Sequence, residues 1–334
     1  MISACSGGSL AIEPHWTSPQ SGAHLSSGGV QGALSPFGLL NINRYGHQLK
    51  SFYACPAMGP IKYLSDSSHP YIFVYAGKFA GQTWCGLIMS ASLNEPGGLY
   101  VKTTTHDLYV ANWGFNKILV FHRGQTEPYN VYTDPTLQNP IGVTTANDGT
   151  VIASNAYQPN HTENGSISTW IEGPNGGTFV GNFSMTNDSE GYFVTVQKNG
   201  KVYYDDVDLS GSGALWSLSC PAGHCGIQTQ VAGVSLKIPR GLASDGAEDL
   251  IVIDTEPGRA ETFELPNPNP VIFPLAGFPD GVAINELDHH LFVADSFNQV
   301  GAEYLYPSGV LVGTVQCGTA CVPFGIAVDP GHAR

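Results

Sequence analysis

Two strand-like segments decide the fold: Phe278-Pro279-Asp280-Gly281-Val282-Ala283-Ile284-Asn285, and Leu291-Phe292-Val293-Ala294-Asp295-Ser296-Phe297-Asn298. The first is an apolar strand opened by Pro-x-Gly, and the second is an apolar strand that ends in Ala-Asp. Proline fixes φ and has no N–H, so it suits the entry to a strand. Glycine lets two backbones approach closely. Further copies of this unit would therefore indicate a repeated β architecture.

The opening half of the unit recurs along the chain. Its copies are Pro140-Ile141-Gly142, Pro239-Arg240-Gly241 and Pro323-Phe324-Gly325, with a looser one at Pro96-Gly97-Gly98. From Pro239 to Pro279 is 40 residues, and from Pro279 to Pro323 is 44. The gap of 99 residues from Pro140 to Pro239 fits two units, and a degenerate copy lies at 187–195. Repeats of about 40–50 residues with several short strands are typical of propeller blades.

The repeat resembles that of the NHL-type β-propellers over residues 96–329. The resemblance implies an all-β, six-bladed propeller of four-stranded antiparallel blades. We expect a first blade in the region after Pro36, then blades at about 96–138, 139–184, 185–237, 238–278 and 279–321. The strand 324–328 has no blade of its own, so it should pair with the N-terminal blade and close the ring, which leaves no exposed sheet edge. The resemblance says little about function, since propellers host many activities.

The N-terminal region is predicted to be a flexible tether. Ile2-Ser3-Ala4-Cys5 resembles a bacterial lipobox, which makes Cys5 a predicted lipidation site. Residues 1–33 are predicted to be this remnant and a flexible Ser/Gly-rich tail, and residues 34–334 a single propeller domain. The net charge of −14 argues against nucleic acid as a partner. No apolar run is long enough to span a membrane, so we expect membrane attachment only through the lipid, and a monomer.

Cysteine spacing indicates disulfides. Besides Cys5 there are six cysteines, an even number. Cys220 with Cys225 and Cys317 with Cys321 would close small loops, and Cys55 with Cys85 would be the third pair. Disulfides imply an oxidising, extracytoplasmic compartment. A metal site at Cys220, His224 and Cys225 is the alternative, although this spacing matches no zinc pattern well.

Ligand-binding candidates lie where strands begin at one mouth of the central channel. Arg240 and Asp280 occupy the same variable position in successive units, so we expect them to be neighbours. They would form either an anion-binding arginine with a general-base carboxylate or a salt bridge that closes the channel. Trp113, Phe115, Tyr157 and Phe324 would supply aromatic contact area there.

Four further candidates end second strands, namely Asn112, Asn155, Asp254 and Asp295. Oxygen ligands converging from several blades suit a hard cation such as Ca²⁺. The alternative is that these residues cap the turns that follow them. We expect no cofactor unless the protein is an enzyme, in which case a divalent cation is required. Histidines 106, 289 and 290 are predicted to be exposed on the opposite face.

The predicted function is an envelope-anchored or secreted binding module that engages an unidentified protein, glycan or small molecule at the channel mouth. One alternative is a metal-dependent hydrolase or lyase. Glu13-Pro14-His15-Trp16 resembles the Glu-bearing N-terminal motif of gluconolactonase-like propellers, although their later metal motifs do not match. No motif of the virginiamycin B lyase-like propellers can be placed. The other alternative is a structural scaffold, for which the channel would be filled by apolar side chains.

Overall fold

The chain forms six antiparallel sheets, which follow one another as blades around a common axis. This computed structural model describes residues 51–331 apart from 78, 80–83, 137, 157–163, 186–188, 209, 246–248, 257, 265–269, 286–288 and 319. Five blades have four strands, and the sixth has a fifth strand at its outer edge. The predicted all-β, six-bladed propeller is confirmed. The predicted boundary between residues 33 and 34 lies outside the described residues.

Blades 1 to 3 are continuous in sequence, and each places its first strand nearest the axis. Their strands are β5 (Pro96–Lys102), β6 (Asp107–Asn112), β7 (Lys117–Phe121) and β8 (Asn130–Thr133); β9 (Pro140–Thr145), β10 (Thr150–Asn155), β11 (Ser166–Ile171) and β12 (Thr178–Ser184); and β13 (Ser189–Val196), β14 (Lys201–Asp208), β15 (Gly213–Ser219) and β16 (Thr229–Gln230). Short 3-10 turns follow β6, β11 and β15 at Trp113–Phe115, Pro174–Gly176 and Pro221–Gly223.

Blades 4 and 5 repeat this plan, whereas blade 6 combines both ends of the described chain. Their strands are β17 (Pro239–Ser244), β18 (Asp249–Asp254), β19 (Arg259–Glu264) and β20 (Val271–Pro274); β21 (Pro279–Asn285), β22 (His290–Asp295), β23 (Val300–Leu305) and β24 (Val310–Gln316); and β1 (Phe52–Tyr53), β2 (Ile61–Asp66), β3 (Tyr71–Ala76), β4 (Trp84–Ile88) and β25 (Pro323–Asp329).

The ring closes as predicted, through the last strand. β25 is the innermost strand of blade 6 and pairs with β2, with Ile61 opposite Asp329. Blade 1 fastens this strand, because Arg123 forms an ion pair with Asp329 and His106 Nδ1 lies 2.7 Å from the same carboxylate. The prediction that His106 is exposed is therefore wrong, since its side chain is only 15% exposed.

His290 also differs from its prediction. It begins β22 instead of lying in the preceding turn, and only 8% of it is exposed. Its Nδ1 lies 2.6 Å from Glu303 of β23, whose other oxygen accepts the N–H of Phe79 from blade 6 at 2.6 Å. A carboxylate on the neighbouring strand draws the ring inward, and sequence spacing gives no sign of that partner. His289 is exposed, as predicted.

Glycines allow the innermost strands to pack against one another around the axis. A Cβ on Gly281 would lie 2.4 Å from the Phe324 carbonyl oxygen, and one on Gly241 would lie 2.3 Å from the Asp280 carbonyl oxygen. Such distances are far inside normal van der Waals contact, so no side chain fits. The Pro-x-Gly signature is thus explained by the close approach of backbones from adjacent blades.

Three disulfides form with the predicted pairing: Cys55–Cys85, Cys220–Cys225 and Cys317–Cys321. The first lies at the outer edge of blade 6, beside β1 and β4. The second closes the loop between β15 and β16, and the third closes the segment that leads from β24 into β25. Such bonds are typical of oxidising, extracytoplasmic compartments. Among the described residues, no helix is long and apolar enough to cross a membrane.

Candidate functional site

One face of the ring, called the mouth face below, carries the segments that enter each first strand and the loops between second and third strands. Blade 5 illustrates how these two kinds of loop meet. Asp295, at the end of β22, accepts hydrogen bonds at 3.0 Å from the N–H groups of Phe278 and Asn298. The Asn298 side-chain amide donates to its second oxygen at 2.6 Å. One carboxylate therefore ties together the entry segment and the loop of its own blade.

The other strand-end candidates are held in similar ways. Asp254 Oδ1 accepts the N–H of Ile238 at 2.9 Å, and Asn112 Oδ1 accepts that of Asn94 at 2.8 Å. Asn155 instead donates to the hydroxyls of two serines of β11, Ser166 and Ser168, at 3.0 and 2.8 Å. All four strand-end residues are at most 3% exposed. These contacts lie within single blades, as expected of residues that fasten turns.

A divalent cation at these residues stays a prediction. Each of the four belongs to a different blade, and the hydrogen bonds of Asn112, Asp254 and Asp295 direct their oxygens to N–H donors of their own blade. Within the described residues, no group of three or more His, Cys, Asp or Glu side chains has the arrangement of a metal site. The donor set therefore fits a turn-capping role better than a shared cation. Glu13 lies outside the described residues.

Arg240 and Asp280 are neighbours at the mouth, as their matching positions in the repeat suggested. The Arg240 guanidinium donates to Asp280 Oδ1 at 3.4 Å and lies 5.2 Å from the ring centres of both Tyr192 and Phe278. Asp280 is 1% exposed. Burial raises the pKa of this carboxyl to about 6, and the nearby Arg240 charge limits the rise. The group thus titrates in the range where a carboxyl can act as a proton acceptor or donor near neutral pH.

Apolar side chains fill the ring at this level. Phe193 of blade 3 and Phe324 of blade 6 belong to blades three apart in the ring, yet their ring centres lie 5.6 Å apart in a near-parallel stack. Both join a buried cluster with Ile141, and Phe324 is only 4% exposed. Trp113 is half-buried against the same cluster. Tyr157 lies outside the described residues. Phe324 therefore contributes to the filling of the axis rather than to an open surface.

A buried carboxyl beside this plug was not among the sequence candidates. Asp205 of β14 is fully buried, and its Oδ1 accepts the Phe193 N–H at 2.5 Å. Among the described residues, no donor reaches its Oδ2 with ordinary hydrogen-bond geometry. Burial raises the pKa of Asp205 to about 8. The sequence did contain a signal for this residue. Asp205 stands at the repeat position that is alanine in blade 1 (Ala111) and in blade 5 (Ala294).

Two exposed phenylalanines stand on this face. Phe115 follows β6 and is 44% exposed, and Phe297 follows β22 and is 67% exposed. They occupy the equivalent loop of blades 1 and 5, the two blades that flank blade 6. Large aromatic side chains exposed in this way are common anchors of protein interfaces. Phe297 was not singled out from the sequence, because its loop was interpreted only as part of the repeat.

Solved structures share this fold. The chain resembles one from a nidogen/laminin complex, with 14% identity, coverage of 81% of this chain and 98% of that chain, and a TM-score of 0.64. It also resembles a luciferin-regenerating enzyme (15% identity, 69% and 78% coverage, TM-score 0.52). A third match is the calcium-binding protein regucalcin from Agrobacterium tumefaciens (12% identity, 70% and 77% coverage, TM-score 0.51). No protein-family model and no curated protein matches the sequence. At these identities the matches define a class, the six-bladed β-propellers.

Proposed function

We propose that this propeller is an extracytoplasmic binding module of the NHL type that engages a protein partner through its mouth face. The observation that carries the proposal is the contrast between a filled axis and exposed aromatic loops. Phe193 and Phe324 stack against each other at the axis, whereas Phe115 and Phe297 are exposed around it. A partner would therefore lie across the loops rather than enter the ring.

The architecture suits such a role. Buried polar side chains such as Asp254 and Asp295 hold the loops of their blades, so the loops should lose little conformational entropy on binding. One of the similar solved structures is a propeller chain from a nidogen/laminin complex. Propellers of this shape are thus found in assemblies with other proteins, which is the behaviour proposed here.

A direct test compares variants of the two exposed phenylalanines. The purified full chain would be immobilised and exposed to an envelope extract of the cells that make it. We expect a protein that binds the wild type and a Val310→Ala control at the outer edge of blade 5 but not the Phe115→Ala/Phe297→Ala variant. Retention by the double variant would overturn the proposal. If no protein binds, the structural scaffold becomes the better account, since it also fits a filled axis.

We also propose that a lipid on Cys5 attaches the module to a bacterial envelope. The three disulfides support an extracytoplasmic site. Cys5 itself lies outside the described residues. Replacement Cys5→Ser in the full-length gene should move the protein from the membrane fraction to the soluble fraction. Unchanged fractionation would rule out this anchor.

A metal-dependent hydrolase or lyase is the second candidate. The observation that favours it is the pair of carboxyls near the axis whose pKa values burial raises, Asp280 to about 6 and Asp205 to about 8. Groups of this kind cluster at active sites, although structural networks also produce them. A stoichiometric divalent ion in the purified protein, together with a melting temperature lowered by chelator, would favour the enzyme. An unchanged melt without bound metal would favour the binding module.

A further inference from the structure

A cavity of about 400 Å³ opens between blades 1 and 2 on the face opposite the mouth. Its principal walls are Lys102, Asp107, Tyr109, Tyr129, Tyr132 and Glu172. They come from the end of β5, the first half of β6, strand β8 with the residue before it, and the loop after β11. The volume falls within the range of about 300–1,000 Å³ that is usual for small-molecule sites. None of these residues belongs to the Pro-x-Gly or Ala-Asp positions that recur among the blades.

A buried asparagine of blade 1 helps to fix the wall formed by the loop after β11. Asn130 of β8 accepts the N–H of Gly176 at 2.6 Å and donates to the Gly173 carbonyl at 3.0 Å. It also donates to the Tyr132 hydroxyl at 3.2 Å. Asn130 therefore joins blade 1 to a loop of blade 2 and sets the position of one wall. A wall held in this way needs little ordering when a ligand enters.

The polar groups of the cavity include both donors and acceptors. Glu172 accepts the Tyr109 hydroxyl and, at 2.5 Å, the Lys102 ammonium. Asp107 accepts the Tyr129 hydroxyl at 3.0 Å. Each carboxylate oxygen has two lone pairs and an ammonium has three protons, so these groups keep hydrogen-bonding capacity. Glu172 and Lys102 are 26% and 20% exposed, which leaves them accessible to a molecule in the cavity.

An aromatic platform stands at the rim. The rings of Tyr129 and His122 stack with centroids 3.6 Å apart and planes 7° from parallel. Tyr129 is 48% exposed and the His122 side chain 57%. Asp107 holds both, since His122 Nδ1 lies 2.8 Å from its Oδ1 and the Tyr129 hydroxyl donates to its Oδ2. A rigid, partly exposed ring of this kind offers apolar contact beside hydrogen-bonding groups.

We propose that this cavity is a second binding site, and that it takes a neutral carbohydrate. A sugar ring has an apolar C–H face for the Tyr129 platform and hydroxyl groups that both donate and accept hydrogen bonds, which matches the mixture at Glu172, Lys102 and Asp107. Two carboxylates against one lysine disfavour an anion. The Lys102 ammonium already neutralises the charge of Glu172, so the cavity has less negative charge to attract a cationic ligand. The site is independent of the mouth face, since no residue is shared.

The burial-raised pKa values of the three tyrosines agree with this assignment. Burial raises the pKa of Tyr132 to about 12 and raises those of Tyr109 and Tyr129 above the ordinary value as well. All three hydroxyls therefore keep their protons throughout the neutral range. The phenols contribute no negative charge to the cavity at that pH.

The test uses the purified full chain with its disulfides intact. Glucose, cellobiose, maltose and N,N′-diacetylchitobiose would be titrated by calorimetry and ligand-observed NMR, with choline and inorganic phosphate as probes of the other ligand classes. We expect at least one saccharide to bind. Tyr129→Ala and Glu172→Gln should each weaken it by about tenfold or more, and Tyr129→Phe, which keeps the ring, should weaken it less. Val310→Ala at the outer edge of blade 5 is the control and should bind like the wild type.

Several results would overturn the assignment. Absence of saccharide binding, or binding of choline or phosphate alone, would show that the ligand class is wrong. Saccharide binding that survives both Tyr129→Ala and Glu172→Gln would place the site elsewhere. Near-ultraviolet circular dichroism of each variant shows whether it retains the native packing. If Tyr129→Ala loses that packing, Glu172→Gln alone decides the test. Protein binding at the mouth is measured with other variants, so either proposal can fail alone.

Discussion

Asp295 on the mouth face and Glu172 on the opposite face are both carboxylates at the ends of strands, yet they differ in what they contact. Asp295 is 3% exposed and receives hydrogen bonds from backbone N–H groups of its own blade. Glu172 is 26% exposed and joins side chains from blade 1, Lys102 and Tyr109, at the wall of a cavity. The first shapes the chain that carries it, and the second is accessible to a ligand.

The comparison shows how to interpret residues in a repeat protein. Asp254, Asp295 and Asn112 recur because every blade must hold its entry segment, and this need explains them without a ligand. Glu172 and Tyr129 have no counterpart that the repeat requires. The proposed cavity site therefore lies at residues that depart from the repeat, whereas the residues that agree with it are explained by the fold.

A large effect is expected at the carboxylates that hold the entry segment of a blade to its loop, such as Asp295. Asp295→Ala should lower the free energy of unfolding by about 3 kcal/mol, because it leaves buried N–H groups without their acceptor. Glu172→Gln should change it by less than about 1 kcal/mol, since this partly exposed ion pair is weakened by solvent. Chemical denaturation of both variants measures the difference. Equal losses would remove the distinction between the two faces.

The buried carboxyl of Asp205 should make stability depend on pH. Its pKa of about 8 in the folded protein exceeds the ordinary 3.8, so folding favours the protonated form. This contribution is fully present below about pH 4 and is lost as pH rises towards 8, by up to about 1.4 kcal/mol per pH unit. The contribution of Asp280 to stability is also lost as pH rises, but it changes little above about pH 6, where its carboxyl is ionised in both states.

Asp205→Asn isolates this effect. Between pH 6 and 8 the wild type should lose stability, and the variant should lose much less, because an amide does not titrate. The free energy of unfolding is measured by denaturant titration at several pH values. Parallel curves for the two proteins would show that Asp205 is ionised in the folded state at neutral pH.

Arg240→Met tests the pair at the mouth, with a smaller expected effect. Without the guanidinium, the pKa of Asp280 should rise above about 6, because burial would act with no nearby cation to oppose it. At pH 8 we expect a loss of about 1–3 kcal/mol in the free energy of unfolding, since an ionised carboxylate is left buried without its partner. At pH 5 the loss should be smaller, because Asp280 is then largely protonated. An equal loss at both pH values would assign the effect of Arg240 to packing on Tyr192 and Phe278.

The smallest expected effect is at Phe297. Because this side chain is 67% exposed, Phe297→Ala should change the free energy of unfolding by no more than about 0.5 kcal/mol. Phe292, five residues before it in the same unit and 1% exposed, is the matched control; Phe292→Ala should cost about 3–5 kcal/mol. Thermal melts of both variants check the contrast. A large loss at Phe297 would mean that its ring supports the loop.

Much of the fold followed from the sequence because the repeat has local causes. Pro-x-Gly marks five of the six strands that pack closely at the axis, all but that of blade 3, and Gly281 and Gly325 show why no side chain fits there. The closure by the last strand and the contact between Arg240 and Asp280 were predicted correctly, because both follow from equivalent positions in the repeat. The three disulfides also pair as predicted, two of them across short loops.

The candidate sites were less predictable because they depend on distances between blades. Nothing near Phe324 in sequence indicates that it meets Phe193, which lies 131 positions away in a blade three places around the ring. Likewise, nothing near Glu172 indicates that Lys102 and Tyr109 surround it. His290 was expected at the surface and is buried because Glu303 of the next strand faces it.

The sequence by itself determined the number of blades, their boundaries and the residues that fasten them, because these are set by strand entry, turns and close backbone contact within one repeat. The tertiary structure alone decided that the axis is filled, that Asp205 is buried, and that tyrosines and carboxylates of two blades enclose a cavity. Those features arise where side chains from separate repeats meet. Closure of the ring fixes their distances, and no local pattern encodes them.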